Sequence, residues 1–173
     1  AKEFLENITS EDKVVVVHDD DMDGMSSGIL MYDFCINRGC SEVKHFAFSR
    51  GKSSLNDYDF SDCNKVIIVD LGPNLLDKDI NALDGMEVFY TDHHPLYEEK
   101  FPDNVLEYRT IGKIPSSHTA YDLVGGKEWL AIAGTLSDAG DKYEENHDFL
   151  SGFIDKLDIK EEEFKEKYIW KFG

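Results

Sequence analysis

Short runs of β-branched and aromatic residues alternate with helical patterns along this chain, and most of the strand-like runs end in carboxylates. Val14-Val15-Val16-Val17 is a continuous apolar run, as expected of a parallel strand covered on both faces. Val43 to Phe48, Lys65 to Asp70 and Glu87 to Asp92 are further strand candidates, and Val105 to Tyr108 is a weaker fifth at an edge. Between them, Ser26 to Arg38 reads as a helix lined by Ile29, Leu30, Phe34 and Ile36 and stopped by Gly39. Leu75 to Leu83 reads as a short helix, and Ser116 or Ser117 caps another that runs to Val124 and ends at Gly125-Gly126. Glu128 to Leu136 and Asn146 to Leu157 follow, the latter with Leu150, Phe153, Ile154 and Leu157 on one stripe. Asp158 and Glu161 form a capping box for a last helix through Phe164 and Tyr168. The alternation predicts an α/β fold: an open, mainly parallel five-stranded sheet with helices on both faces, plus C-terminal helices. A chain of 173 residues suits one domain with a substantial core.

Ligands of such sheets bind beyond the carboxyl ends of the strands. There the sequence places His18-Asp19-Asp20-Asp21-Met22-Asp23-Gly24, then Asp70, then Asp92-His93-His94. Carboxylates crowded into one cleft raise one another's pKa, and desolvation adds to the cost. Divalent cations resolve that conflict, and oxygen-rich ligands with imidazole suit manganese, magnesium or zinc. An EF-hand is excluded, because its twelfth loop position is Leu30 and four valines precede the loop where a helix is required. Two histidines stay open at this point. His18 is either a ligand or bonded to backbone, and His118 either contacts a substrate phosphate or lies on the surface.

The formal charge of -18 argues against broad electrostatic binding of nucleic acid, although bound cations would reverse the sign locally. Cys35, Cys40 and Cys63 form no CxxC pair and read as thiols of a reducing compartment. No apolar run approaches the roughly 20 residues that span a bilayer, and the first ten residues show no secretory leader. A cytoplasmic protein without membrane contact is the expectation.

With these residues in view, the chain resembles the DHH phosphoesterase family, its RecJ-like branch above all. The segment from Val17 through Asp23-Gly24 to Ser26-Ser27 resembles the first family motif. Val-Asp70-Leu-Gly resembles the second, Asp92-His93-His94-Pro95 the third, and Gly134-Thr-Leu-Ser-Asp138-Ala-Gly the fourth. The resemblance implies two Mn2+ (or Mg2+) ions, with Asp19 and Asp21 on the first, Asp23, His93 and Asp138 on the second, and Asp70 bridging. It further implies that Asp92 orients His93 and that His94 faces the scissile phosphate. Ser26, Ser27, His118 and Arg109 are the expected substrate contacts.

The implied activity is metal-dependent hydrolysis of single-stranded DNA or RNA, as in a RecJ-like exonuclease, or of short oligonucleotides or cyclic dinucleotides. Nothing after Gly140 resembles the glycine-rich, histidine-containing motif of the family's second domain. The reading is therefore a core over residues 1–143, a helical extension over 144–173, and no second substrate-binding domain. A pyrophosphatase is disfavoured, because the histidine it requires four residues before the middle aspartate is Val17 here. The competing class is a non-catalytic replisome scaffold, which would act through a replication or repair partner.

Overall fold

The computed structural model describes residues 1–49, 51–73, 80–95, 101–110, 112–164 and 166–167. Strands β1 (Lys13–Asp19), β2 (Glu42–Phe48), β3 (Lys65–Val69), β4 (Glu87–Asp92) and β5 (Val105–Arg109) form one sheet in the order β2-β1-β3-β4-β5. Every pairing is parallel, with Val14 beside Val43 and Lys65, Lys65 beside Glu87, and Asp92 beside Arg109. The described helices are α1 (Lys2–Glu6), α2 (Met22–Asn37), α3 (Ser116–Val124), α4 (Glu128–Ser137), α5 (His147–Leu157) and α6 (Glu161–Phe164).

The valine run does what its composition requires. Successive side chains of a strand point to opposite faces. Val14 and Val16, with Ile67, Val69 and Phe89, bury against α1 to α4 through Phe4, Leu30, Met31, Ala120 and Ala131. Val15 and Val17, with Val66, Ile68 and Tyr90, bury against Leu55, Phe60, Leu71 and Leu83. Two short 3-10 turns, Leu55–Asp57 and Ile80–Leu83, lie on that second face. The rest of the expected helix 75–83 falls largely outside the described residues, as does Tyr168. Among the described residues no helix is long and apolar enough to cross a membrane.

Two helix starts differ from the sequence reading. Helix α2 starts at Met22 and not at Ser26, because Asp21 caps it by accepting the Gly24 N–H at 2.9 Å. Its buried face is Leu30, Met31 and Cys35 with small residues, while Ile29 and Ile36 are 40% and 48% exposed. Helix α3 has Pro115 at its N-cap, and the serine hydroxyls expected to cap it bond elsewhere. The C-terminal helices pack on α4 and not on the sheet, through Ile132, Leu136, Leu150, Ile154 and Phe164.

A polar tie secures the entrance to β1. Asp12 accepts the Thr9 N–H at 2.7 Å and the Asn64 side-chain N–H at 2.6 Å, and lies 3.8 Å from the Lys65 ammonium. Burial pushes the Asp12 carboxyl up, but these hydrogen bonds, that of the Thr9 hydroxyl and the Lys65 charge together hold it below its ordinary value. A carboxyl lowered on folding contributes stability above its unfolded pKa of about 3.9, and loses it as the pH falls through the folded value. Urea unfolding should therefore show stability dropping in acid below about pH 4, with Asp12→Asn about 1 kcal/mol less stable at pH 7 and flatter in that window.

Candidate metal centre

The parallel sheet brings the carboxyl ends of β1, β3 and β4 to one edge, and two helix termini complete the cluster. Asp19 closes β1, Asp92 closes β4, and His93 and His94 follow it. Asp21 caps α2, Asp23 sits in its first turn, and Asp138 is the C-cap of α4. Asp70 lies one residue beyond β3 in a left-handed backbone conformation (φ 60°), while its N–H still donates to Thr91 O of β4 at 3.0 Å. The chain thus leaves the sheet at the residue that carries the carboxylate, a conformation that aspartate tolerates better than most residues.

Three sets of side chains converge closely enough to hold a cation: Asp19, Asp21 and Asp70; Asp23, His93 and Asp138; and Asp70, His93 and His94. In each set the donor atoms lie within 4.8 Å of one another. His93 Nε2 stands 3.2 Å from Asp138, 3.3 Å from Asp70 and 3.8 Å from Asp23. Asp19, Asp23 and Asp70 are fully buried or nearly so, while Asp138 is half-buried and Asp21 exposed. The donors are carboxylate oxygens and one or two imidazoles, the chemistry that Mn2+ and Mg2+ accept.

The electrostatics match a site built for added positive charge. Burial is the largest cause raising the Asp23 carboxyl, and it raises Asp70 to about 7, with Asp23 and Asp21 adding to the effect. Burial presses His93 down, but its bond to Asp70 and the charges of Asp23, Asp70 and Asp138 outweigh that and lift it to about 9. Asp23 is steadied at both oxygens, which accept the Ser116 and Ser117 backbone N–H groups at 2.7 and 3.0 Å. The start of α3 thus points its free N–H groups at a carboxylate. The Ser116 hydroxyl donates to Asp70 at 2.9 Å.

Asp92 belongs to a different network from the one the resemblance suggested. Its carboxylate meets His94 Nδ1 at 2.7 Å, and His94, not His93, is the ring it orients. The other Asp92 oxygen accepts from the Tyr90 hydroxyl and from Arg109, each at 3.0 Å. Arg109 also donates to the carbonyls of His94 and Pro95. Burial pushes the Asp92 carboxyl up, but the His94 and Tyr90 hydrogen bonds and the His94 charge hold it below its ordinary range, and the bond to Asp92 raises His94.

The four expected substrate contacts are placed otherwise. Ser26 and Ser27 are fully buried where α2 meets α4, and the Ser27 hydroxyl donates back to Asp23 O at 2.9 Å. Arg109 lies with its guanidinium turned onto Asp92 and the loop after it. His118 is buried, stacked on Phe149 at 4.0 Å, with Nδ1 2.8 Å from Asn146. His18 is the backbone-bonded alternative, with Nδ1 2.7 Å from Asp19 O and its ring stacked on His45. Tyr90, Ser116 and Asn146 escaped sequence reasoning. Only Tyr90 carried a usable signal, since a residue two before Asp92 on a strand shares its face.

Residues 13–140 match the profile of the DHH family, N-terminal domain. The chain belongs to the DHH family. Solved structures share this DHH fold: exonuclease RecJ bound to manganese (TM-score 0.65, 20% identity, 86% of this chain and 44% of that one), and RecJ with Mn2+ from Thermus thermophilus (0.61, 21%, 79% and 23%). CDC45 from Entamoeba histolytica also matches (0.58, 14%, 86% and 35%). At these identities the likeness is one of fold, that of a RecJ-like DHH core. The chain spans less than half the length of each of them. No curated protein sequence matches it.

Arg109→Lys keeps a charge beside Asp92 but replaces the planar guanidinium, whose Nη2 alone reaches Asp92 and both carbonyls, by an ammonium on a different stem. It should cost about 1.5 kcal/mol in urea unfolding and lower kcat for any hydrolysis more than it raises KM.

Proposed function

We propose that this chain is the catalytic core of a two-cation phosphodiesterase that hydrolyses single-stranded nucleic acid or short oligonucleotides. The observation that carries the reading is Asp70, whose carboxylate belongs both to the set with Asp19 and Asp21 and to that with His93 and His94, and stands 3.3 Å from the His93 Nε2 that the Asp23 and Asp138 set shares. In this reading Asp19 and Asp21 hold one Mn2+ or Mg2+, Asp23, His93 and Asp138 hold the other, and Asp70 joins them. Such a pair, when bound, supplies Lewis-acid activation of water near neutral pH and offsets the charge that builds on the phosphoryl oxygens.

The chain's own groups do the rest. Asp92 takes the hydrogen bond of His94 Nδ1 and favours the doubly protonated ring, whose Nε2–H then faces the scissile phosphate as a donor. Tyr90 and Arg109 fix Asp92, and the Ser116 and Ser117 amides fix Asp23. We place the core over residues 1–143, with the α5–α6 layer as its extension, in the cytoplasm and among replication or repair proteins.

The charge of -18 and the fold shared with CDC45 favour a second reading, a non-catalytic scaffold. Hydrolysis of a labelled single-stranded oligonucleotide and of a dinucleotide, each with Mn2+ and with EDTA, separates the two. Product that requires Mn2+ supports the phosphodiesterase, and the preferred substrate distinguishes exonuclease from small-oligonucleotide enzyme. Neither substrate cleaved while Mn2+ binds would favour the scaffold.

A further inference from the structure

We infer that Asn146, the N-cap residue of α5, is a positioning residue that fixes the spacing of Asp23 and Asp138 in the donor set they form with His93. The inference rests on the two-cation reading of that cluster. The Asn146 side chain is fully buried, and an amide at that depth needs partners for its oxygen and for both of its hydrogens. Its Nδ2 donates to Lys113 O at 2.8 Å and to Gly140 O at 3.0 Å. Its Oδ1 can only accept, so His118 Nδ1, 2.8 Å away, carries the proton of that bond. One amide thus joins the loop before α3, the first turn of α3 and the turn that follows α4. The exposed pair of Lys113 with Glu145 spans part of the same gap but contributes little in solvent.

Those segments hold two of the three ligands in place. Asp23 is gripped from the start of α3, by the Ser116 and Ser117 amides. Asp138 is placed differently. Among the described residues its carboxylate accepts no hydrogen bond from backbone amides or hydroxyls, and it meets His93 Nε2 at 3.2 Å. Its position therefore comes from its own backbone. Ala139 is left-handed (φ 53°), and Gly140 lies so close to α4 that a Cβ there would stand 2.6 Å from the Thr135 carbonyl oxygen. Asn146 holds that turn by the Gly140 carbonyl, two residues beyond Asp138. Asp23 and Asp138 approach the same nitrogen, His93 Nε2, at 3.8 and 3.2 Å, so a change in the spacing of the two segments moves the donor atoms apart. The residues after 143 thereby take part in shaping the site, although none of them supplies a ligand to it.

Isothermal titration calorimetry of the full chain with Mn2+ alone is the test. The wild type should take up two ions. Asn146→Ala should weaken one of them about 10- to 100-fold, the range found when the support of a metal ligand is removed, and leave the other within about twofold. Asn146→Ser, which keeps a single donor, is the milder variant should the alanine chain not fold, and it should weaken the same ion about tenfold. Asp138→Asn removes a ligand of the set and should weaken that ion as well. Adding Asn146→Ala to Asp138→Asn should then cost less than about twofold more, because Asn146 acts through the spacing that Asp138 needs, whereas added to Asp19→Asn it should cost its full factor. Ile154→Ala is the control, since it loosens the same layer by removing a buried side chain of α5 and should move neither affinity. Affinities unchanged in both Asn146 variants, losses that add in full to Asp138→Asn, or an equal loss in Ile154→Ala would overturn the inference and leave the two-cation reading standing. Fewer than two ions on the wild type would overturn both.

Discussion

Asp70→Asn should lower Mn2+-dependent hydrolysis by about 1,000-fold, equivalent to about 4 kcal/mol of transition-state stabilisation. Asparagine is the informative replacement. It keeps the size of the side chain and tolerates the left-handed backbone at φ 60°, where alanine would add strain. What it removes is the one carboxylate common to two of the converging donor sets. Two consequences besides activity follow. Mn2+ at a hundredfold excess over Kd should stabilise the wild-type chain by about 2.7 kcal/mol, and most of that gain should vanish in the variant. The metal-free variant should nevertheless melt about 3 °C higher than wild type, because a carboxylate buried among like charges is gone. A gain in intrinsic stability with a loss of turnover separates a site residue from a packing residue, whose removal lowers both.

Gly24→Ala is expected to be the most destabilising single methyl in the chain's first motif. A Cβ at Gly24 would stand 2.5 Å from the Asp19 carbonyl oxygen and 2.6 Å from the Asp19 Cβ. Backbone cannot yield as a flexible side chain can, so α2 must shift away from the end of β1. Urea unfolding should show a loss of about 3 kcal/mol, at the upper end for overpacking. Metal affinity should fall with it, because the shift parts Asp19 from Asp21 and Asp23, which α2 carries. A substitution at exposed Ile29 on the same helix is the control and should leave both unchanged.

The sheet and its acidic edge were legible because both obey short-range rules. A run such as Val14 to Val17 fits a strand buried on both faces, and the residue that ends a parallel strand marks the ligand edge whatever lies between the strands. Helix α2 was half legible. Its N-terminal turn packs through Gly24, Ser26, Ser27 and Gly28, small residues that leave no hydrophobic period to read. The same packing takes Ser26 and Ser27 out of reach of a substrate. Asp138 carried no local signal and was found only through the resemblance, since an aspartate at a helix C-terminus is otherwise unremarked. Arg109, one of three arginines in the chain, was read as a substrate contact. Its partner is instead set by sheet register, which lays it directly beside Asp92. Order and register of strands cannot be deduced from spacing alone.

Electron paramagnetic resonance of the chain titrated with Mn2+ tests the central claim most directly. Two ions bridged by one carboxylate stand about 3.5–4 Å apart, close enough to couple their spins. The account predicts two Mn2+ per chain with an exchange-coupled spectrum, replaced in Asp70→Asn by uncoupled or absent ions. A single uncoupled ion in the wild type, or coupling that survives in Asp70→Asn, would contradict it.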